Sequence, residues 1–243
     1  MINTITDGVQ LNVMTSGAFT AAYLQLIPRL ELLTKKQLVT AATSIGTGEN
    51  SIPNRLRRGE PVDVVIVADA VLAAFIEEGL IIAESYTPLA RSAIGMAVRA
   101  GAPKPDISTV DALRRTLLHA KSIAYSASVS GDYVSSELFQ QLGIADQVLS
   151  KSRRIEGGER VGAVVARGEA EIGFQQISEL LPVSGIDHVT ALPPEVQKVS
   201  VFSGGVAVST RDPAAAHMVI RFLASPDAAQ AITDSGLEPI GNR

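Results

Sequence analysis

Gly59-Glu60-Pro61-Val62-Asp63-Val64-Val65-Ile66-Val67-Ala68-Asp69 is the stretch on which the fold turns. A glycine halts what precedes it, an almost unbroken apolar run follows, and an acidic residue leads on. β-Branched side chains crowd a helix and suit a pleated strand. Continuous rather than alternating apolarity predicts a strand buried on both faces, as in a sheet covered by helices. The flanks agree: a helix is expected to end near Arg58, and another over 70–78, closed by Gly79.

Towards the N-terminus the same unit repeats. Residues 11–14 read as a strand, followed by the small-residue turn Thr15-Ser16-Gly17-Ala18 and a helix with Phe19, Tyr23, Leu26, Ile27 and Leu30 at helical spacing. Residues 38–42 form the next expected strand, whose loop Thr43-Ser44-Ile45-Gly46-Thr47-Gly48 leads into the helix that stops at Gly59. This βαβαβ alternation predicts parallel strands joined by right-handed crossovers. Towards the C-terminus, strands are expected over 92–98, 122–125, 172–176 and 199–208, the last containing Gly204-Gly205. Helices are expected over 110–119, from Asp132 to about Leu142, over 161–167, and from Pro213 and Pro226, where proline favours the first turn.

Composition fits this α/β reading. Of 243 residues 46% are apolar but only 4% aromatic, so the cores must be built from Ala, Val, Ile and Leu. A net charge of −4 argues against nucleic acid as a partner, since no basic stripe is present to neutralise phosphates. The basic clusters Arg55, Arg57, Arg58 and Lys151, Arg153, Arg154 sit near acidic residues and read as solvated helix ends or loops. Absence of cysteine excludes disulfides and thiolate chemistry. No apolar run is long enough for a membrane helix, so membrane insertion is not expected. The first ten residues have neither a basic start nor an apolar run. The expected location is periplasmic if a leader was removed, otherwise cytoplasmic.

Three loops share one design: each leaves the carboxyl end of a strand, is rich in Ser, Thr and Gly, and enters a helix. They are 15–18, 43–48 and 126–131. The first N–H groups of a helix lack internal partners and carry the positive end of the dipole, so such turns suit an anion. The candidate ligand residues are Ser16, Gly17, Ala18, Ser44, Thr47, Ser128 and Ser130. Arg91 is a candidate carboxylate clamp, because a guanidinium offers two parallel donors. Gln175 and Gln176 end an apolar strand, and Gln176 is the residue assigned to the site. His119, His188 and His217 have no metal-ligand spacing, and no catalytic or phosphate-loop motif occurs, so no metal and no cofactor is expected.

Four stretches resemble the type II periplasmic solute-binding proteins, especially molybdate-binding proteins: 11–20, 59–69, Val165-Ala166-Arg167-Gly168-Glu169-Ala170-Glu171-Ile172-Gly173, and Ile220-Arg221-Phe222-Leu223-Ala224-Ser225-Pro226-Asp227-Ala228-Ala229. The resemblance implies two α/β lobes of mixed sheet flanked by helices and joined by two crossover strands. Lobe 1 would comprise 1–86 and 199–243, and lobe 2 would comprise 87–198. A small anionic ligand would be held in the cleft between them and delivered to the membrane component of an ABC transporter. Molybdate binders place a serine where this chain has Ala18 and a tyrosine where it has Gln176. The chain is more similar to a branch that includes aconitate isomerase, through 16–23 and 168–176. An isomerase acting on a tricarboxylate is therefore the alternative to a plain binder, with an effector domain of a transcription regulator ranked last. Such an isomerase needs a base, and Tyr133, Glu49 and Asp69 are candidates between which the sequence does not choose.

Overall fold

The structure, a computed structural model, describes residues 10–41, 45–46 and 48–241. β1 (Gln10–Thr15) leads into α1 (Gly17–Thr34), β2 (Gln37–Ala41), α2 (Ile52–Arg57), β3 (Val64–Ala68) and α3 (Asp69–Glu77). β4 (Thr87–Ser92) and β5 (Ile94–Arg99) follow, then α4 (Val110–His119) and β6 (Ile123–Ser126). One helical run comes next, made of α5 (Val129–Tyr133), a π-turn (Val134–Leu138) and α6 (Phe139–Gln141). It is followed by α7 (Ala145–Val148), β7 (Ser152–Ile155), α8 (Val161–Ala166), β8 (Ile172–Gln176), α9 (Ile177–Leu180) and β9 (Ile186–Ala191). β10 (Ser200–Val206), α10 (Pro213–Leu223), α11 (Pro226–Asp234) and β11 (Glu238–Pro239) end the chain.

These elements form two compact units. The first runs to Arg91 and resumes at Val201; the second is Ser92–Ser200. The first has a mixed sheet in the order β11-β4-β10-β3-β1-β2, in which β2, β1 and β3 are parallel and β10 is antiparallel to β3. Every residue of β3 is buried, as continuous apolarity predicts for a strand covered on both sides. Val65 and Val67 pack with Met14, Ile52, Leu72 and Phe75. The pair Gly204-Gly205 on β10 explains itself here: a Cβ on Gly204 would lie 2.7 Å from Ile220 Cδ1, and one on Gly205 2.6 Å from Ile81 Cγ2. Both sheet faces come so close that neither position has room for a side chain.

Asp63 ties this unit together across sequence. It is buried, and its carboxylate accepts the Asn12 N–H at 2.7 Å and the Thr210 hydroxyl at 2.6 Å. A carboxylate withdrawn from water needs such donors, and these come from the first strand and the C-terminal segment.

The second unit has a mixed sheet in the order β7-β6-β8-β5-β9, with β7, β6 and β8 parallel and β5 antiparallel to both β8 and β9. Ile172 and Phe174 of β8 face a core with Leu113, Leu117, Leu138 and Phe139. Val161, Val164 and Val165 of α8 pack with Ala124 and Ile155 in a second cluster.

Three expectations differ from what is observed. The strand expected over 92–98 is two strands broken at Ala93, so Arg91 lies inside β4 rather than before a strand. β7, in the basic segment read as a helix end or loop, is an edge strand whose Arg153 and Arg154 are exposed. α2 starts only at Ile52, after Ser51. The basic clusters are paired, Arg55 and Arg58 with Glu60, Arg57 with Glu78, Arg153 with Glu169, and Arg154 with Asp132 and Glu156. Lys151 instead donates to the Leu118 and Ala120 carbonyls at the end of α4.

Candidate functional site

In the first unit the candidate donors gather where β1 and β3 end. The Ser16 N–H donates to the Ile66 carbonyl at 2.8 Å, fixing the exit of β1 beside β3. Ser16 is the N-cap of α1 in extended conformation, yet its hydroxyl does not cap the helix. The Thr20 hydroxyl donates back to the Ser16 carbonyl at 2.9 Å. Ser16 Oγ is buried and has no partner, while Gly17 and Ala18 begin a helix of 18 residues. A free hydroxyl and first-turn amides at the positive end of a long helix form a set of donors for an anion.

Of the second loop, Ser44 and Thr47 lie outside the described residues. The described part holds a hydroxyl that sequence reasoning missed. Ser51 is the N-cap of α2, buried, with Oγ unpartnered. Its signal was the Ser-Ile-Pro sequence, a cap followed by proline in the first turn. Glu49, a candidate base, is exposed, and its backbone carbonyl accepts from Arg58.

Asp69, another candidate base, opens α3 directly after β3. Its Oδ1 accepts hydrogen bonds from the Tyr86 and Ser203 hydroxyls, each at 2.7 Å. The same contact raises the Tyr86 phenol above its ordinary range, because the phenol's proton is held by a carboxylate, with burial adding to the effect. Arg91, the candidate clamp, lies near the end of β4. Its Nη1 pairs with Glu238 at 3.3 Å, across the β4–β11 ladder, and the side chain is 46% exposed. Such an exposed pair contributes little to stability.

In the second unit the loop after β6 closes on itself. The hydroxyls of Ser126, Ser128 and Ser130 form a triangle with sides of 2.8, 3.0 and 3.3 Å. Gly131 makes this possible: a Cβ there would sit 1.6 Å from the Ser126 carbonyl oxygen. The helix begun at Val129 therefore lies against the strand it follows, with Ser128 as N-cap and no side-chain cap bond. Tyr133, the third candidate base, is committed elsewhere. Its hydroxyl donates to the Val196 carbonyl at 2.7 Å, and burial, then Glu137, raises its phenol above the usual range.

Gln176 ends β8, which pairs in parallel with β6, so it occupies the same sheet edge as the serine triangle. Its amide nitrogen donates to Ser200 Oγ at 3.3 Å, and its buried Oε1 has no partner. Gln175 points to the opposite sheet face, where its Oε1 accepts the Val161 N–H at 3.0 Å and so caps α8. At the same strand ends, Ser92 Oγ and Ser178 Oγ are also buried and unpartnered. Glu179, in the single turn of α9, was not singled out by the sequence. Burial pushes its carboxyl up to about 7, against the Arg160 charge and a hydrogen bond from Gln175, both of which lower it. Only the tertiary structure reveals that environment.

The structure thus groups Ser16, Gly17 and Ala18 in the first unit and Ser128, Ser130 and Gln176 in the second, and pairs Arg91 with Glu238. Among the described residues no cluster of three or more His, Asp or Glu suits a metal, and no helix is long and apolar enough to cross a membrane.

Comparison with known proteins gives three findings. The family model described as bacterial extracellular solute-binding protein matches residues 11–238. An aconitate isomerase from Pseudomonas sp. is 45% identical over 231 residues, spanning 95% of this chain and 88% of the relative. Among solved structures, the periplasmic molybdate-binding protein of Azotobacter vinelandii superposes with a TM-score of 0.72 at 18% identity, covering 93% of this chain and 98% of that one. A tungstate-binding protein from Desulfovibrio alaskensis G20 gives 0.65 at 17% identity, with 96% and 99% covered. At these identities the two likenesses speak for the two-lobed fold.

Proposed function

The chain belongs to the bacterial extracellular solute-binding protein family, and from that premise we propose that it binds a small polycarboxylate and isomerises it, interconverting trans- and cis-aconitate. One observation carries the reading: the 45% identity with an aconitate isomerase runs along 95% of the chain. The chemistry is an allylic proton shift. A base takes a proton from the methylene carbon beside a carboxylate, and the released pair forms a new carbon–carbon double bond. The former double bond takes up a proton at its far carbon. The ligand is a trianion near neutral pH, so it needs fixed donors. Each unit by itself offers a candidate set: the first the amides of Gly17 and Ala18 with the Ser16 and Ser51 hydroxyls, the second the Ser128–Ser130 helix start with Gln176.

Incubating the pure protein with trans-aconitate and following the cis isomer by NMR tests the activity. Absence of conversion at any pH removes it. Ser16→Ala separates binding from folding. Its hydroxyl is buried without a partner, so removal should leave stability unchanged or slightly higher. Aconitate affinity should fall about fivefold to tenfold, the loss of one hydrogen bond of roughly 1–1.5 kcal/mol.

A second reading is favoured by the family itself. Its members are described as extracellular solute-binding proteins. A binder that hands a carboxylate or oxyanion to an ABC transporter outside the cytoplasm would use the same donors without a base. Calorimetry against organic acids, molybdate and tungstate distinguishes the two, since a plain binder holds its ligand and leaves it unchanged.

A further inference from the structure

We propose that Glu179 is the catalytic base of the isomerisation, its carboxylate taking the methylene proton of bound aconitate and the resulting acid supplying the proton to the far carbon of the allyl unit. The assignment rests on the isomerase reading above. Two electrons move from the C–H bond into the new double bond, the old double-bond pair forms the new C–H bond, and Glu179 ends the cycle ionised as it began. Nothing is oxidised or reduced.

Geometry carries the assignment. Glu179 lies in the turn that leaves the carboxyl end of β8, at the sheet edge shared with the serine triangle and Gln176. Beside it the buried Gln175 amide accepts the Val161 N–H at 3.0 Å through Oε1, and its influence on the Glu179 carboxyl is to lower it. Around the same strand ends, Ser92 Oγ, Gln176 Oε1 and Ser178 Oγ are each at least nine-tenths buried and unpartnered. Three such atoms call for a polar partner there.

Within the second unit, Asp132 and Glu156 pair with Arg154, Glu159 with Arg167, and Glu137 with Lys198. The Tyr133 hydroxyl already donates to the Val196 carbonyl. Glu179 has no contact ion pair among the described residues and is only partly exposed. Of the elements packed on α9, β8 carries no charged residue, β5 carries Arg99 at its other end, and α8 contributes Arg160 at its N-cap. The burial that lifts Glu179 to about 7 suits a base that must both accept and return a proton near neutrality.

The test uses the full chain, trans-aconitate as probe, and the variants Glu179→Gln and Glu179→Asp. Wild-type kcat should rise with pH through a midpoint near 7. Glu179→Gln should lower kcat by roughly 10²–10⁴-fold while calorimetric affinity for trans-aconitate is kept. Glu179→Asp should retain a measurable fraction of the rate. A folded Glu179→Gln that isomerises at the wild-type rate overturns the assignment and leaves the isomerase reading standing. If that variant does not fold, the wild-type profile decides: a rate independent of pH from acid to mildly alkaline conditions overturns the assignment. A wild-type protein that converts nothing strikes the isomerase reading instead.

Discussion

Replacing Gly131 by alanine sets two effects of opposite sign against each other. Gly131 lies inside a helix without positive φ, so local propensity alone predicts a gain of about 0.5–1 kcal/mol from Ala. The packing predicts a loss. The new Cβ would stand 1.6 Å from the Ser126 carbonyl oxygen, 2.6 Å from its carbon and 3.0 Å from its nitrogen. All three atoms are backbone, so no rotamer change relieves the clash. Reaching even 3.0 Å from the oxygen requires the helix start and the end of β6 to part by 3.0 − 1.6 = 1.4 Å. Overpacking of this kind costs about 1–3 kcal/mol, and the lack of any yielding side chain puts it at the upper end. For a chain of this size that is a fall of about 6–12 °C in the thermal transition. The same displacement spreads the Ser126–Ser128–Ser130 triangle, so binding of the proposed ligand should weaken in a Gly131→Ala protein that still folds. Calorimetric melting of both proteins, followed by ligand titration, gives the answer. A Gly131→Ala protein that melts at or above the wild-type temperature would refute the packing argument.

Glu179 also makes stability depend on pH. Its folded value of about 7 is raised from the ordinary 4.5 by burial. Between these values the folded chain holds a proton that the unfolded chain releases, so stability falls as pH rises through that window and levels above it. Urea unfolding across the window should show this slope in the wild type and a flatter one in Glu179→Gln. On β10, Gly205→Ala should cost about 1–3 kcal/mol in urea unfolding, because its Cβ meets Ile81 Cγ2 at 2.6 Å. Ile81→Ala in the same chain should recover part of that loss, since the opposing atom is a side-chain methyl. Asp69→Asn removes the carboxylate that holds the Tyr86 proton, and an ultraviolet titration should show one of the four tyrosines ionising at lower pH than in wild type.

The elements built on apolar continuity could be read directly. β3 and β8 announce themselves because burial on both faces leaves no polar alternation, and α10 and α11 because proline marks their first turns. What escaped the sequence was decided by neighbours. β7 carries arginines on a sheet edge, where charge is tolerated and even useful, so its composition resembles a loop. The break at Ala93 that places Arg91 inside β4 has no composition signal. At the site, the loops with small residues were legible because helix starts have a local chemistry. Ser51 was signalled by the proline that follows it, but the expected helix began too early for it to count as a cap. Glu179 could not be found, because an acid in a short helix after a strand differs from any other only through the burial imposed by its surroundings.

The interrupted path of the first unit has a consequence for synthesis on the ribosome. β10 sits between β3 and β4, so β3 emerges with one hydrogen-bonding side bare until residues 200–206 have been made. At about 5–20 residues per second that wait is on the order of ten seconds, during which an entirely apolar strand is open to wrong partners. The second unit is contiguous and can close first. Nascent chains arrested before Ser200 should therefore show a protease-resistant fragment from residues 92 onward while the N-terminal segment is still cut or held by a chaperone.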